Sequence, residues 1–264
     1  MNALQYTPQD DLSTLDEITK GYLCLVDCYE KVLQSYNLYV VAMASTNIKP
    51  LNLTKDQAAT FKTAYENRPA KFKLKWIDEL LVNDLLSCPM CGGLGGRTLE
   101  HYLPKTPYPE FSIFSHNLFP SCGSCNSKRG ARNKYLAFPA LLHPYFDGVT
   151  LGAVELHTVV SMVNDVARFD LCFNRLSFDV VTRERIDHHI NVCIDTLDYS
   201  NHSSGYLKKS RLKFKTYESC DEYISAVQKD IKIFEGCGSK NSWEAAFMRG
   251  MLKLTKEELK ELLR

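Results

Sequence analysis

Residues 88–134 read CPMCGGLGGRTLEHYLPKTPYPEFSIFSHNLFPSCGSCNSKRGARNK, and this stretch decides the fold. Two Cys-x-x-Cys pairs, Cys88/Cys91 and Cys122/Cys125, are separated by thirty residues. Zinc takes four soft or borderline ligands in a tetrahedron, and the two pairs supply them with none left over. A four-thiolate site is coordinatively closed, so the spacing predicts one structural Zn²⁺ that ties together the ends of the excursion. Glycine follows the second cysteine (Gly92, Gly93), where a knuckle must turn backbone N–H groups towards sulfur without a Cβ in the way. CGGLGG is a poor phosphate loop, because it lacks the Gly-Lys-Ser/Thr ending and a preceding strand.

Within the excursion, Glu100-His101 sits in TLEHYLP and Asn117 opens NLFPSC; both segments read as extended. Alternation sends Leu99 and His101 to one side and Glu100 and Tyr102 to the other. Asn126 follows the last cysteine, where a helix should start, with Lys128, Arg129, Arg132 and Lys134 along it.

The pattern Cys-x-x-Cys, Glu-His-x-x-Pro-Lys, Asn-Leu-x-Pro-x-Cys-x-x-Cys-Asn-x-Lys resembles the HNH endonuclease family. The resemblance covers residues 88–134, under a fifth of the chain. It implies a ββα-metal unit: a hairpin carrying the histidine and the middle asparagine, a following helix, and one divalent cation between them. His101 then matches the general base, which takes a proton from the water attacking a phosphodiester. Asn117 matches the residue that holds the histidine's orientation. Glu100 matches the acidic metal ligand, and Asn126 the last motif residue, which also reaches the metal. Glu100 stands where Asp is commoner and Asn126 where His is frequent; two oxygen donors favour Mg²⁺ or Mn²⁺. Lys105, Lys128, Arg129, Arg132 and Lys134 become candidates for nucleic-acid phosphates.

Around this stretch the chain of 264 residues has ordinary composition and a net charge of +1, so nucleic-acid binding must come from local patches. No apolar run is long enough to span a membrane, and MNALQYTPQDDLS lacks signal-peptide character; the expectation is no membrane contact and a cytoplasmic location. The remaining cysteines, Cys24 and Cys28 among them, read as ordinary thiols. Residues 1–87 form a helical region suited to partner docking. One apolar stripe runs Leu15, Ile18, Tyr22, Leu25, Val26, Tyr29, Leu33 behind an N-cap at Ser13 or Thr14. Thr54-x-x-Gln57 has the form of a capping box. A third helix should open at Pro69 with Phe72, Trp76 and Leu80, its Lys71, Lys73 and Lys75 on a solvated face or on phosphates.

The resemblance makes residues 88–150 the expected nuclease core, and 151–264 read as an α/β to helical region. There Phe169, Leu171 and Phe173, then Leu176, Phe178 and Val180, flank Asn174-Arg175 as a hairpin or one long strand. A linker is expected at 198–206, and a basic patch at Lys208, Lys209, Arg211, Lys213 and Lys215. Helices should open at Asn241 and Thr255. His116 reads as exposed and incidental, His189 as packed or at the rim, and His143, in HPYFD, as a neighbour of the site or a bystander. The fold class that follows is α+β, a ββα-metal HNH unit with a four-cysteine zinc staple embedded in a mainly helical protein.

LEHYLPK…YPEFS…NLFPSCGSCNSKRG followed by HPYFD is further similar to the HNH nuclease subunits of Septu and retron anti-phage systems. That likeness implies an effector nuclease controlled by an ABC-type ATPase partner. DNA is the default substrate and tRNA the alternative; a zinc-stapled adaptor that binds nucleic acid or a partner without cutting is the rival class.

Overall fold

The computed structural model describes residues 1–44, 48–130, 140–164 and 166–264, the side chains of 128–130 excepted. Among these residues the chain mixes helices with two small antiparallel sheets. It divides into two compact units, one of Gln5–Asp84 and Gly96–Asp147, the other of Met1–Leu4, Leu85–Gly95 and Gly148–Arg264.

In the first unit, α1 (Asp11–Gly21) is capped by Asp10, whose carboxylate accepts from Ser13 N. The cap therefore lies earlier than Ser13 or Thr14. Tyr22 is extended and ends the helix, and a 3-10 segment (Leu23–Cys28) leads into α2 (Tyr29–Val41). This break shifts the helical phase expected from the single stripe: Leu15, Ile18 and Leu25 are buried, Val26 is exposed, and Val32 replaces Leu33 in the core. The capping box at Thr54 and Gln57 forms and opens α3 (Lys55–Asn67).

Pro69 does not begin an α-helix. It caps a 3-10 turn (Ala70–Phe72), and Lys73 at φ +52° interrupts the chain before the short α4 (Lys75–Glu79). Lys73 pairs with Glu17 at 2.7 Å and Lys75 with Glu79 at 3.8 Å, which favours the solvated-face reading of those lysines. Next, β1 (Thr98–His101) pairs with β2 (Leu118–Ser121), with Glu100 opposite Phe119 and His101 opposite Leu118. Then follows α5 (Gly123–Gly130).

In the second unit, α6 (Gly148–Ala153) leads to a long hairpin of β3 (Leu156–Val163) and β4 (Val166–Phe173). The hairpin thus lies upstream of the expected one. Phe169–Phe173 is its second strand, Arg175–Ser177 is a 3-10 turn, and Val180 begins α7 (Val180–Cys193). Residues 198–206 are no linker: they lie inside α8 (Thr196–Phe214), which buries Tyr199, Ser203 and Leu207. Polar residues made this stretch look loop-like, but its buried positions recur at four-residue steps.

Helices α9 (Cys220–Gly236), α10 (Trp243–Met251) and α11 (Lys256–Leu263) complete the unit. Ser242, not Asn241, caps α10, while Thr255 and Glu258 form the expected capping box. Phe169, Leu207, Tyr223, Val227, Phe247 and Met251 fill the core. Gly250 lets α10 lie against β3, since a Cβ there would meet Thr158 O at 2.3 Å. In the basic patch, Lys209 pairs with Glu244 at 2.6 Å, Lys213 pairs with Asp230, and Arg211 Nε donates to Leu262 O at 2.9 Å.

Candidate metal centre and histidine site

The first knuckle is a turn closed by Gly92 N donating to Cys88 O at 2.8 Å and Cys88 N donating to Gly93 O at 2.7 Å. Gly92 adopts φ +79°, and a Cβ on it would stand 2.1 Å from Asn241 O; both facts demand glycine. Gly93 N points at Cys91 Sγ (3.3 Å), as Cys125 N does at Cys122 Sγ (3.4 Å). Such N–H groups stabilise a thiolate. The knuckle backbone is seated by Trp243, whose Nε1 donates to Cys91 O at 2.7 Å, and by His189 Nε2, which donates to Met90 O at 2.7 Å. His189 is fully buried there, in accord with the packed reading.

The Sγ atoms of Cys88, Cys91, Cys122 and Cys125 all lie within 4.8 Å of one another, and none is in a disulfide. Four sulfurs bound at about 2.3 Å to one tetrahedral zinc stand about 3.8 Å apart. Donor chemistry and spacing therefore fit a single structural zinc ion. Among the described residues no other group of three or more Cys, His, Asp or Glu converges in this way; Cys24 is exposed beside Thr60.

Glu100 and His101 end β1, and both are buried, so both faces of this short strand are covered. His101 Nε2 lies 2.9 Å from Ser112 O. A carbonyl can only accept, so Nε2 carries the proton and Nδ1 keeps the lone pair. Burial pushes the imidazole down to about 3, with the Ser112 bond acting in the opposite sense and the Lys105 charge in the same sense as burial; the ring is neutral throughout the physiological range.

Asn117 is fully buried and fills its bonding capacity. Its Oδ1 accepts from Leu103 N (2.7 Å) and Tyr39 Oη (2.9 Å), and its Nδ2 donates to Leu103 O (3.0 Å) and Phe111 O (3.1 Å). None of these bonds reaches His101. Asn117 instead braces the loop between the two strands, and that loop presents the Ser112 carbonyl to the imidazole. His143 extends the brace: Tyr145 N donates to its Nδ1 at 3.1 Å, leaving Nε2–H to donate to Tyr39 Oη at 3.2 Å. The HPYFD segment is thus a support of the loop, and Tyr145 Oη also donates to Leu118 O of β2 at 2.8 Å.

Asn126, in the first turn of α5, donates from Nδ2 to Leu99 O at 3.3 Å, so its amide lies against β1. His116 is not incidental: it is half-buried and stacks on Tyr6 with ring centroids 3.9 Å apart. Lys105 meets Glu66 at 3.4 Å and lies over the Tyr65 ring. Lys128 and Arg129 are on α5, but their side chains, like all of Arg132 and Lys134, lie outside the described residues.

Sequence reasoning missed Ser112, Tyr39 and Tyr65. Ser112 acts through its backbone, which leaves no side-chain signature. Tyr39 and Tyr65 belong to helices whose pattern reads as packing; Tyr65 meets His101 edge to face at 4.5 Å.

Over 86 residues the chain is 37% identical to protein ea31 of Escherichia phage lambda. The match covers 31% of this chain and 27% of the phage protein, so the chain spans about a quarter of that relative's length. Neither a protein-family model nor a solved structure matches the chain.

Proposed function

We propose that the chain is a metal-dependent endonuclease of the HNH type, hydrolysing nucleic-acid phosphodiester bonds, with the β1–β2 hairpin and α5 as its ββα unit. The observation that carries this reading is the oriented imidazole of His101. Its Nε2–H is held by Ser112 O, which leaves Nδ1 as a free base. Neutral above about pH 3, the ring is in its proton-accepting form at working pH. Burial weakens it as a base, but an anionic phosphodiester arriving beside it raises its affinity for the water's proton. Asn117 acts one step removed, by holding the loop that holds the histidine.

Glu100 lies on β1 and Asn126 reaches β1 from α5 through Leu99 O; they offer a carboxylate and an amide oxygen, a hard donor set suited to Mg²⁺ or Mn²⁺. When bound, such a cation stabilises charge on the scissile phosphate and the leaving oxygen. The zinc cysteines hold the ends of the excursion and take no part in the chemistry.

The wider role rests on the sequence likeness alone: an effector of anti-phage defence, restrained by an ABC-type ATPase. DNA is the default substrate, and tRNA is a second candidate because phosphates look alike to the basic side chains. Purified protein, alone and with a co-expressed neighbouring ATPase, is offered duplex DNA and total RNA with Mg²⁺ or Mn²⁺. Cleavage lost in His101→Ala with zinc content unchanged supports the proposal. Cleavage that survives His101→Ala overturns the mechanism, and no cleavage of either substrate by any preparation favours a zinc-stapled adaptor.

A further inference from the structure

The end of α3 and the turn after β1 together bring two cations and one aromatic ring beside His101. Tyr65 packs edge-on against the imidazole, centroid to centroid at 4.5 Å. Over the same Tyr65 ring stand the Lys105 ammonium at 4.5 Å and the Arg68 guanidinium at 5.2 Å. Arg68 is the C-cap of α3 and adopts φ +42°, a left-handed conformation that suits glycine or asparagine and strains a long side chain. Its Nε is buried without a hydrogen-bond partner. Each cation is held by an exposed carboxylate, Lys105 by Glu66 at 3.4 Å and Arg68 by Asp78 at 3.3 Å. The carboxylates are exposed and the cations half-buried, and pairs open to solvent on one side are weak enough to be exchanged for another anion.

We propose that Arg68, Lys105 and Tyr65 form a phosphate clamp beside His101. The two cations take nucleic-acid phosphates flanking the bond to be cut, and the Tyr65 ring sets their spacing from the imidazole. This rests on the endonuclease reading and assigns part of its substrate site to a helix that the sequence marks only for packing. Tyr65 is a positioning residue, while Arg68 and Lys105 are binding residues. Glu66 and Asp78 occupy the cations until the phosphates arrive.

The test is equilibrium binding of the full chain, without added divalent cation, to a fluorescent duplex DNA and a single-stranded RNA across a salt series. One phosphate contact contributes about 0.9 to the slope of log K against log salt on duplex DNA and about 0.7 on a single strand. At 0.1 M salt that is about an eightfold loss of duplex affinity per contact removed. Arg68→Asn and Lys105→Gln are each expected to lower the slope by that amount. Arg68→Asn suits the left-handed backbone, so its thermal midpoint should hold or rise, which a merely structural arginine would not allow. Glu66→Gln with Asp78→Asn frees both cations and should tighten binding by up to about fivefold. Slopes unchanged in Arg68→Asn and Lys105→Gln, with binding intact, overturn the clamp and leave the endonuclease reading standing. No salt-dependent binding of either nucleic acid by the unaltered chain overturns both.

Discussion

Glu110→Gln should stabilise the protein at pH 8 and leave it nearly unchanged at pH 4. Glu110 is fully buried in the loop that carries Ser112. Its Oε1 accepts from Leu51 N at 2.8 Å, while Oε2 is buried without a hydrogen-bond partner. Burial dominates and pushes the carboxyl from 4.5 up to about 7, with the Leu51 bond acting in the opposite sense. The folded state therefore binds a proton more tightly than the unfolded chain. Stability from this group is fully present below about pH 4.5 and is lost as pH rises to about 7. Integrated over that window at 1.36 kcal/mol per unit, the loss is about 3 kcal/mol.

His101 works in the other direction: its folded value of about 3 lies below the ordinary 6.5, so it makes stability rise with pH across that interval. The parent profile mixes these with other shifted groups, Asp11 raised to about 6 among them, but the difference between parent and Glu110→Gln isolates Glu110. Glutamine keeps the acceptor for Leu51 N and cannot ionise. Thermal or urea unfolding at pH 4, 6 and 8 should show a stability difference that grows from near zero to about 3 kcal/mol in favour of the variant. A variant no more stable than the parent at pH 8, with a parallel profile, would refute the buried-carboxylate account of this loop.

Metal analysis should find about one zinc per chain, and Cys91→Ser or prolonged chelation should lower the thermal midpoint sharply, since structural zinc supplies about 10 kcal/mol or more in small zinc peptides. Asn117→Ala removes four hydrogen bonds from a fully buried side chain and strands Leu103 and Phe111 backbone groups. It should cost at least about 3 kcal/mol by urea unfolding; a loss under about 1 kcal/mol would mean that the loop is held by other means. Gly92→Ala forces a Cβ to 2.1 Å from Asn241 O at φ +79°, so zinc content and thermal midpoint should fall together, whereas Gly123→Ala, with open space around it, should leave both unchanged.

Much of the candidate metal centre was legible in the chain itself. Identical Cys-x-x-Cys spacings identify four thiols, and the glycine after Cys91 follows from the geometry of a knuckle, where no Cβ fits. The caps at Thr54 and Thr255 were readable for the same reason, because each is a local pattern of side chain and backbone within four residues. The extended segments around His101 and Asn117 pair as β1 and β2. Where the chain's pattern was ambiguous over longer distances it misled. The polar run at 198–206 is mid-helix, and the β3–β4 hairpin starts thirteen residues before Phe169.

By itself the sequence determined the four cysteines of the candidate metal centre, the glycine their turn requires and the identity of the histidine on β1, because each depends on neighbours a few positions away. Only the tertiary structure decided how that histidine is held and what surrounds it. The Ser112 carbonyl, the Asn117–Tyr39–His143 brace and the Tyr65–Arg68–Lys105 group come from segments far apart in the chain. Their contacts depend on how the loop packs against α2 and α3, and a backbone carbonyl or a ring edge has no signature in the one-dimensional pattern.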